Sequence, residues 1–331
     1  MKKLTQALAL ILILTTTLVM PAFADAVRPL IGIVQVNNHG ALDATREGFL
    51  RALNEHGYTD GHNMTIDYRN AQGNQDTLSS IADYYVGMQV DLILAITTAS
   101  ALAVASKTET IPVLGAAITD YVEAKLVQSN EHPGGNISGT PDMNPVDEQI
   151  GLIARLVPDA KTVGLIYDSS EVNSRLQVRE AKAELEKLGL AWKEITVNNS
   201  NDVYQAVNTI IQECDALYIP TDNTLASAMP TVYEAALAAM VPVVAGDGNM
   251  VMQGGNFTLG IDYELLGYQT GLMALSVLRD GADVSLMPIE HQSVYQYYVN
   301  KTACDAMGID IPADLLAYAR EMQGATASPE P

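Results

Sequence analysis

Residues 30–34 read LIGIV, and residues 162–167 read TVGLIY. Each stretch is a short run of aliphatic and β-branched residues, which is typical of a buried strand. Each is followed by a segment of helical periodicity that stops at a glycine, Gly57 in the first half and Gly189 in the second. These two glycines are 132 positions apart, as are Gly32 and Gly164 inside the strands. The same structural unit is therefore written twice.

The alternation of strand and helix continues through both halves of the chain. In the first half it predicts strands at 30–34, 64–68, 90–96 and 111–115, with helices at 44–56, 76–88 and 100–107. In the second half it predicts strands at 162–167, 192–197, 215–219 and 241–245, with helices at 174–188, 202–212 and 225–239. A helix at 264–278, a strand at 294–299 and a helix at 313–322 follow.

Strands that are continuous apolar runs and alternate with helices predict parallel sheets covered on both faces. The predicted fold class is therefore α/β, with two doubly wound parallel-sheet lobes joined by a multi-strand hinge. We expect an N-lobe of residues 28–141 plus 261–288 and a C-lobe of residues 142–260 plus 289–322. Ligands of such sheets bind beyond the carboxyl ends of the strands, so the loops that follow the strands are the candidate site.

The charge of the chain argues against nucleic acid as a partner. Lys and Arg number 18 against 39 Asp and Glu, which gives a formal net charge of −21 over 331 residues. Such a field repels phosphate backbones. We therefore expect a small-molecule ligand and no nucleic acid.

The first residues have the features of an export signal. Lys2 and Lys3 precede an apolar stretch, and residues 21–24 end in the small-x-small pattern of a cleavage site. We predict a signal peptide at 1–24 that is cleaved after Ala24, with no cysteine nearby for a lipid anchor. At the other end, residues 323–331 are expected to form a flexible tail. Cys214 and Cys304 are the two cysteines, and the sequence does not decide whether they are bridged.

Polar residues follow the third strand of the repeat in both lobes. Thr98 and Ser100 follow the third strand of the N-lobe, while Asp222 and Asn223 follow its counterpart in the C-lobe. The repeat places Thr98 and Asp222 opposite each other, because each lies seven positions after a matched aspartate, Asp91 or Asp215. Hydroxyls at the start of a helix suit an anionic group, and a carboxylate suits an ammonium group. Helix capping is the alternative explanation for these residues.

Two further loops complete the candidate site. After the first strand of the C-lobe, residues 168–174 are all polar except Val172 and include Ser170, Asn173 and Ser174, more than one helix cap requires. After the fourth strand, Asp247 lies between two glycines and offers a second carboxylate for an amine. Together the loops predict a site for a zwitterion, although a turn alone would also explain Asp247.

Motifs of catalysis, metal binding and cofactor binding are absent from the sequence. The five histidines have no metal-ligand spacing, and neither a nucleophile elbow nor a phosphate-binding Gly-Lys loop is present. His39 is the one histidine in a predicted cleft loop, where a surface role is the expectation. We therefore expect no catalytic residue, no metal and no cofactor.

Several segments resemble the solute-binding component of ABC importers, in the subfamily of tryptophan/tyrosine-type binding proteins. The segments that carry the resemblance are residues 97–103, 137–140 with 158–161, 167–174, 220–224, and 299–301 with 308–312. The resemblance implies a type I periplasmic-binding-protein fold, hinge closure around one small molecule, and delivery to a membrane permease powered by a separate ATPase.

The resemblance also implies roles for the loop residues. It assigns the ligand carboxylate to Thr98, Ser100, Ser170, Asn173 and Ser174, and the ligand ammonium to Asp222 and Asp247. The expected protein is a free periplasmic monomer that binds an amino acid, aromatic as first choice and branched aliphatic as second. The alternatives are a sugar, nucleoside or organic acid bound by the same fold, a sensory ligand-binding subunit, and an exported enzyme with an unrecognised site.

Overall fold

The computed structural model of the protein describes residues 28–322. The predicted signal peptide and the predicted tail lie outside these residues. The first lobe contains, in chain order, β1 (Leu30–Gln35), α1 (Gly40–Glu55), β2 (Thr65–Asn70), α2 (Gln75–Met88), β3 (Leu92–Ile96), α3 (Thr98–Ala105), β4 (Val113–Ile118) and β5 (Ile137–Pro141). Its five strands form a wholly parallel sheet in the order β2-β1-β3-β4-β5.

The second lobe follows the same plan with additions. Its elements are α4 (Val146–Leu156), β6 (Thr162–Asp168), α5 (Val172–Leu188), β7 (Ala191–Val197), α6 (Val203–Ile210), β8 (Ala216–Ile219), α7 (Asn223–Ser227), α8 (Met229–Ala239), β9 (Val243–Ala245), α9 (Gly248–Met252) and β10 (Phe257–Gly260). The described part of the chain ends with α10 (Tyr263–Asp280), β11 (Gln296–Asn300), α11 (Lys301–Ala306), α12 (Ala313–Tyr318) and β12 (Ala319–Met322).

The sheet of the second lobe has seven strands in the order β12-β11-β10-β9-β8-β6-β7. All neighbours are parallel except β10 and β11, which are antiparallel. Successive residues of β6 contribute to opposite faces: Leu165 packs in the cluster with α4 and α5, and Ile166 packs in the cluster with α6 and α8. Both faces are covered by helices, so the prediction of two doubly wound lobes is confirmed.

Helix α10 returns to the first lobe and packs closely on α1. A Cβ atom at Gly48 would lie 1.9 Å from the carbonyl oxygen of Glu264, and one at Gly267 would lie 1.8 Å from that of Thr45. Only glycine permits this approach of the two helix backbones. Helix α10 follows the second half of the repeat in the sequence, and this contact attaches it to the N-terminal lobe.

The chain passes between the lobes three times, after β5, after β10 and before β11. Asn144 joins the first two crossings, because its Oδ1 accepts a hydrogen bond of 3.0 Å from the amide of Ile261. Its Nδ2 donates to the carbonyl oxygen of Gly246 at 2.9 Å, which fixes the crossings to the end of β9. The multi-strand hinge that the sequence predicts is thereby present.

Two of the predicted helices are wrong in part. The helix predicted at 225–239 is divided into α7 and α8 at Ala228, and Pro230 occupies the first turn of α8, where its missing amide hydrogen is tolerated. The helix predicted at 313–322 ends at Tyr318, because residues 319–322 pair with β11 as an edge strand. Strand pairing decided the second case against local periodicity.

Candidate ligand-binding site

The candidate site is a cavity between the two lobes. Its empty space amounts to about 310 Å³, including the part that is open to solvent. The first lobe lines it after the ends of β1, β3, β4 and β5, and the second lobe after the ends of β8 and β9. The predicted position of the site, at the carboxyl ends of the strands, agrees with this cavity.

Side chains of the two lobes are in direct contact across the cleft. Asn37 Nδ2 donates to Ser227 Oγ at 2.7 Å, and His39 Nε2 lies 3.1 Å from Asn223 Oδ1. Deeper in the cleft, Gln177 Nε2 lies 3.5 Å from Thr119 Oγ1. The described structure is therefore a closed arrangement of the lobes.

Three buried carboxyl groups line the cavity: Asp142, Asp222 and Asp247. Burial raises the pKa of each, and that of Asp247 reaches about 6. No Lys or Arg side chain within residues 28–322 lines this cavity. Such a site favours a cation, since a bound ammonium group would offset the loss of water around the carboxylates.

The three carboxyl groups differ in how much of their hydrogen-bonding capacity is already used. Asp222 Oδ2 accepts from the Asp168 amide and the Ser174 hydroxyl, both at 2.7 Å, and its Oδ1 accepts from the Leu225 amide at 2.8 Å. Asp142 accepts from Thr119 Oγ1 at 3.1 Å and from Tyr263 Oη at 2.8 Å.

Asp247 caps α9 with Oδ1 alone, through the amides of Asn249 and Met250 at 2.7 and 2.9 Å. Its Oδ2 forms no hydrogen bond with any residue in the described range. Asp247 is therefore the carboxyl group with a free oxygen for a ligand.

The wall opposite Asp222 is the start of α3. Thr97 is the residue that caps α3, and it has φ +97° and ψ 158°, a region adopted almost only by glycine. This conformation brings Thr97 and Thr98 to the cavity. The first amides of an α-helix have no partner inside the helix, so those of Thr98 and Ala99 are donors for an anionic group.

The predicted site residues fall into two groups. Thr98, Asn173, Asp222, Asn223 and Asp247 line the cavity. Ser100, Ser170 and Ser174 do not line it.

The hydroxyls of these three serines have partners within the protein. Ser100 Oγ accepts from Thr97 Oγ1 at 3.2 Å, and Ser170, which is exposed, donates to Asp168 Oδ1 at 2.7 Å. Ser174 donates to Asp222. These serines support the loops and the buried carboxylate.

Nine residues of the lining lay outside the predicted set, and four of them are His39, Thr119, Asp142 and Tyr263. His39 lines the cavity, so the expectation of a surface role is wrong. Asp142 and Tyr263 follow β5 and β10, two strands that the sequence pattern did not predict. Two other tyrosines near strand ends do not line the cavity: Tyr121 donates to the Gly115 carbonyl oxygen in the core, and Tyr167 donates to Glu194.

Residues 28–322 lack the features of a metal site, a membrane span and a disulfide. No group of three or more His, Cys, Asp or Glu side chains there is arranged to hold a metal ion. No helix of that range combines the length and apolar character needed to cross a membrane. Cys214 and Cys304 are unbridged, with Cys304 buried beside Asn256.

Comparisons with known proteins agree with this architecture. Residues 30–323 match the family described as ABC transporter substrate binding protein. A tyrosine-binding protein from Clostridioides difficile is 38% identical over 299 residues, which cover 90% of this chain and 86% of the relative.

Two solved structures show the same fold at different lobe arrangements. A Streptococcus pneumonia protein described as the ABC domain in complex with L-Trp is 36% identical, with a TM-score of 0.86 over 89% of this chain and 99% of its own. The ligand-free, open structure of a Clostridium difficile substrate binding protein with adhesive properties is 40% identical, with a TM-score of 0.67 over 89% of this chain and 100% of its own.

The open structure is the more similar of the two in sequence and the less similar in shape. This agrees with the contacts between the lobes, which close the cleft in the present structure. The family match covers almost the whole described chain, and the tyrosine-binding protein from Clostridioides difficile is 38% identical over 90% of the full chain. The chain belongs to the family of ABC transporter substrate-binding proteins.

Proposed function

We propose that this protein captures an aromatic amino acid outside the cytoplasmic membrane and presents it to the permease of an ABC importer. The name of the Clostridioides difficile relative and the L-Trp bound to the Streptococcus pneumonia structure support this ligand class. The observation that carries the proposal is the pairing, within one closed cavity, of buried carboxyl groups and unpaired helix amides. A free amino acid carries the two complementary charges.

We propose that the ligand ammonium binds Asp247 Oδ2, the carboxylate oxygen with no partner among residues 28–322. Asp142 and Asp222 add negative charge to the same cavity but have their oxygens occupied by protein donors. A charge-assisted hydrogen bond in a water-excluded site contributes roughly 1.5–3 kcal/mol. Asp247 is therefore the main ammonium partner, and Asp222 is the supporting charge.

The ligand carboxylate is assigned to the start of α3. The amides of Thr98 and Ala99 and the hydroxyl of Thr98 offer donors there, at the positive end of the helix dipole. Asn173 and Asn223 line the cavity from the second lobe, and both donate their side-chain amides to Glu171. Ser100, Ser170 and Ser174 contribute through the loops that they hold.

The apolar part of the cavity suits the side chain of the ligand. Leu42, Ala117 and Ala226 line it together with the ring of Tyr263. An aromatic ring buries a large apolar area and stacks favourably on another ring.

We propose that binding closes the cleft by rotation about the crossings after β5 and β10 and before β11. The rotating bodies would be residues 28–141 with 261–288 and residues 142–260 with 289–322. The packing of α10 on α1 supports the assignment of 261–288 to the first lobe. The cross-lobe bonds at Asn37 and His39 would then stabilise the closed form.

The sequence also supports a location and mode of action. We propose that residues 1–24 direct export and are removed after Ala24, and that the mature protein acts as a free periplasmic monomer. The net charge of −21 over the full sequence opposes contact with nucleic acid. The carboxyl groups of Asp142 and Asp222 are engaged with donors of the protein, which supports binding without chemical conversion of the ligand.

Thermal unfolding against a ligand panel tests the proposal. The mature protein, unfolded and refolded to remove bound ligand, is titrated with all amino acids and with sugars, nucleosides and organic acids. A ligand at 100 times its dissociation constant stabilises by about 2.7 kcal/mol, a shift of several degrees in Tm. A shift confined to aromatic amino acids is expected. A shift only with sugars or nucleosides would overturn the assignment, and recovery of an altered ligand would overturn binding without conversion.

A further inference from the structure

His39 is partly buried at the cleft, with one ring nitrogen paired and the other buried and unpaired. It precedes α1, lines the ligand cavity, and holds Nε2 at 3.1 Å from Asn223 Oδ1 of the other lobe. Its Nδ1 is buried and has no hydrogen-bond partner. Among the buried side-chain nitrogen and oxygen atoms of residues 28–322, Asn130 Oδ1 shares this condition but lies outside the cavity. A buried polar atom without a partner requires an explanation.

The neighbours of Asn223 determine which nitrogen of His39 carries the hydrogen. Asn223 Nδ2 donates to Glu171 Oε2 at 2.7 Å, so the amide oxygen of Asn223 is the atom that faces His39. Glu171 also accepts from the backbone amide of Asn223 at 3.1 Å, which holds the amide in this orientation. An amide oxygen only accepts hydrogen bonds, so Nε2 of His39 donates.

The other nitrogen is therefore an acceptor. A neutral imidazole with its hydrogen on Nε2 has a lone pair on Nδ1. Burial lowers the pKa of His39, against opposing effects of its bond to Asn223 and of the Asp43 charge, and this keeps the ring neutral. A residue that lines the cavity thus carries an acceptor that no group within residues 28–322 satisfies.

The geometry points to His39 as a specificity-determining residue whose Nδ1 accepts a hydrogen bond from an N–H or O–H group on the ligand side chain. This inference rests on the proposed function. Asp247 already provides an acceptor for the ligand ammonium, and the helix amides face its carboxylate. The imidazole acceptor then remains for a side-chain donor, such as a phenol hydroxyl or an indole N–H.

The expected consequence is discrimination by a missing hydrogen bond. A ligand with a plain phenyl ring would leave Nδ1 buried and unpaired in the closed state. Sites built around a hydrogen bond reject analogues that lack the donor much more strongly than they reject a change of apolar size. We expect tyrosine and tryptophan to bind at least about tenfold more tightly than phenylalanine.

The test compares these three amino acids by calorimetry on the mature wild-type protein and on His39→Gln. Glutamine has an amide N–H that can reach Asn223 as Nε2 does, but it has no acceptor at the position of Nδ1. A second variant, Asn223→Leu, removes the side-chain oxygen that accepts from His39 Nε2 and thereby fixes the tautomer of the imidazole. In His39→Gln, affinity for tyrosine and tryptophan is expected to fall about tenfold while that for phenylalanine changes less than about threefold. In Asn223→Leu, the preference over phenylalanine is expected to shrink.

Each other outcome has a distinct meaning. Equal binding of tyrosine and phenylalanine by the wild type would overturn the inference and leave the proposed function intact. A His39→Gln protein that weakens all three ligands equally would assign His39 to closure or to the ammonium, which also overturns it. Failure of the wild type to bind any aromatic amino acid would instead overturn the proposed function.

A spectroscopic measurement on the wild type tests the inference without requiring that any variant folds. The nitrogen-15 resonances of His39 report which ring nitrogen carries the hydrogen. An unprotonated Nδ1 that shifts on addition of tyrosine, with a smaller shift for phenylalanine, is expected. A hydrogen on Nδ1, or the same shift with both ligands, would contradict the inference.

Discussion

The side chain of Asp222 accepts a hydrogen bond from the backbone amide of Asp168, with 2.7 Å between Oδ2 and N. The bond joins the carboxyl ends of β6 and β8, two adjacent strands of the second sheet. The same carboxyl group accepts from Ser174 and caps α7 through the Leu225 amide. Asp222 therefore holds three elements of the second lobe at the wall of the cavity.

We expect Asp222→Ala to destabilise the unliganded protein. It removes a helix cap, which typically contributes about 1 kcal/mol, and leaves the amide of Asp168 and the hydroxyl of Ser174 without an acceptor. Relief of a buried carboxyl group offsets part of this loss. The free energy of unfolding should fall by about 2 kcal/mol or more in urea titration. Asp222→Asn, which retains one carbonyl oxygen, is the control with a smaller loss, and equal stability of wild type and Asp222→Ala would contradict the structural role.

Asp247→Asn should separate ligand binding from stability. Asparagine retains the oxygen that caps α9, while the charge and the free carboxylate oxygen are lost. We expect aromatic amino acids to bind at least tenfold more weakly, since a charge-assisted hydrogen bond is removed. The Tm of the unliganded protein should be unchanged or higher, because the asparagine requires no buried charge. Calorimetry and thermal unfolding measure the two effects, and an unchanged dissociation constant would remove Asp247 from the ammonium site.

The pKa of Asp247 predicts how binding depends on pH. Burial raises this pKa to about 6, so the carboxyl group of the unliganded protein is protonated at pH 5 and ionised at pH 7.5. An ammonium ligand binds the ionised form, and at pH 5 it must displace a proton. The dissociation constant should therefore be about tenfold larger at pH 5 than at pH 7.5. Calorimetry in buffers of different ionisation enthalpy should detect the released proton, and Asp247→Asn should lose this share of the pH dependence.

The raised pKa of Asp247 also predicts how folding stability depends on pH. As pH rises, ligand affinity should increase, whereas the contribution of Asp247 to the stability of the unliganded protein should decrease. A carboxyl group whose pKa is higher folded than unfolded favours the folded state below its ordinary pKa of 3.8, and this contribution is lost as pH rises to about 6. Other groups also titrate in this range, so the comparison with Asp247→Asn isolates the effect. The stability of the variant relative to wild type should increase between pH 4 and pH 6.5 and stay constant above it.

The repeated strand–helix unit was sufficient to predict the two lobes and the edge at which the site lies. Parallel strands buried on both faces have a continuous apolar pattern, which β3 and β6 show clearly. Strand β5 lacks that pattern, because it reads Ile-Ser-Gly-Thr-Pro and depends on its pairing with β4. Asp142, which follows it, could therefore not be placed at the site from sequence.

The loops show a second limit of sequence reasoning. A polar residue after a strand can cap a helix, hold a neighbouring loop or contact a ligand, and the residue type is the same in each case. Ser174 and Asp222 are 48 positions apart, and only the folded chain reveals that the first donates to the second. His39 was similarly ambiguous, since its partner Asn223 lies in the other lobe.

Thr97 offers a test of strain at the site. Its φ of +97° is a conformation that costs a β-branched residue of order 1–3 kcal/mol, whereas glycine adopts it freely. Its hydroxyl also accepts from the Ser100 amide at 3.3 Å, which gives a weak cap to α3. Thr97→Gly and Thr97→Ala both lose this cap, and they differ in the strain that a Cβ atom imposes.

We therefore expect Thr97→Gly to be more stable than Thr97→Ala by about 1 kcal/mol, after allowing for the greater flexibility of glycine in the unfolded chain. This reverses the usual order at ordinary backbone positions. Thr97→Ser retains the hydroxyl and the strain, so its stability should be close to wild type. Urea unfolding of the three variants measures the differences. An alanine variant more stable than the glycine variant would mean that residue 97 is unstrained in solution. The amides at the start of α3 would then have to reach the ligand carboxylate through a different backbone conformation.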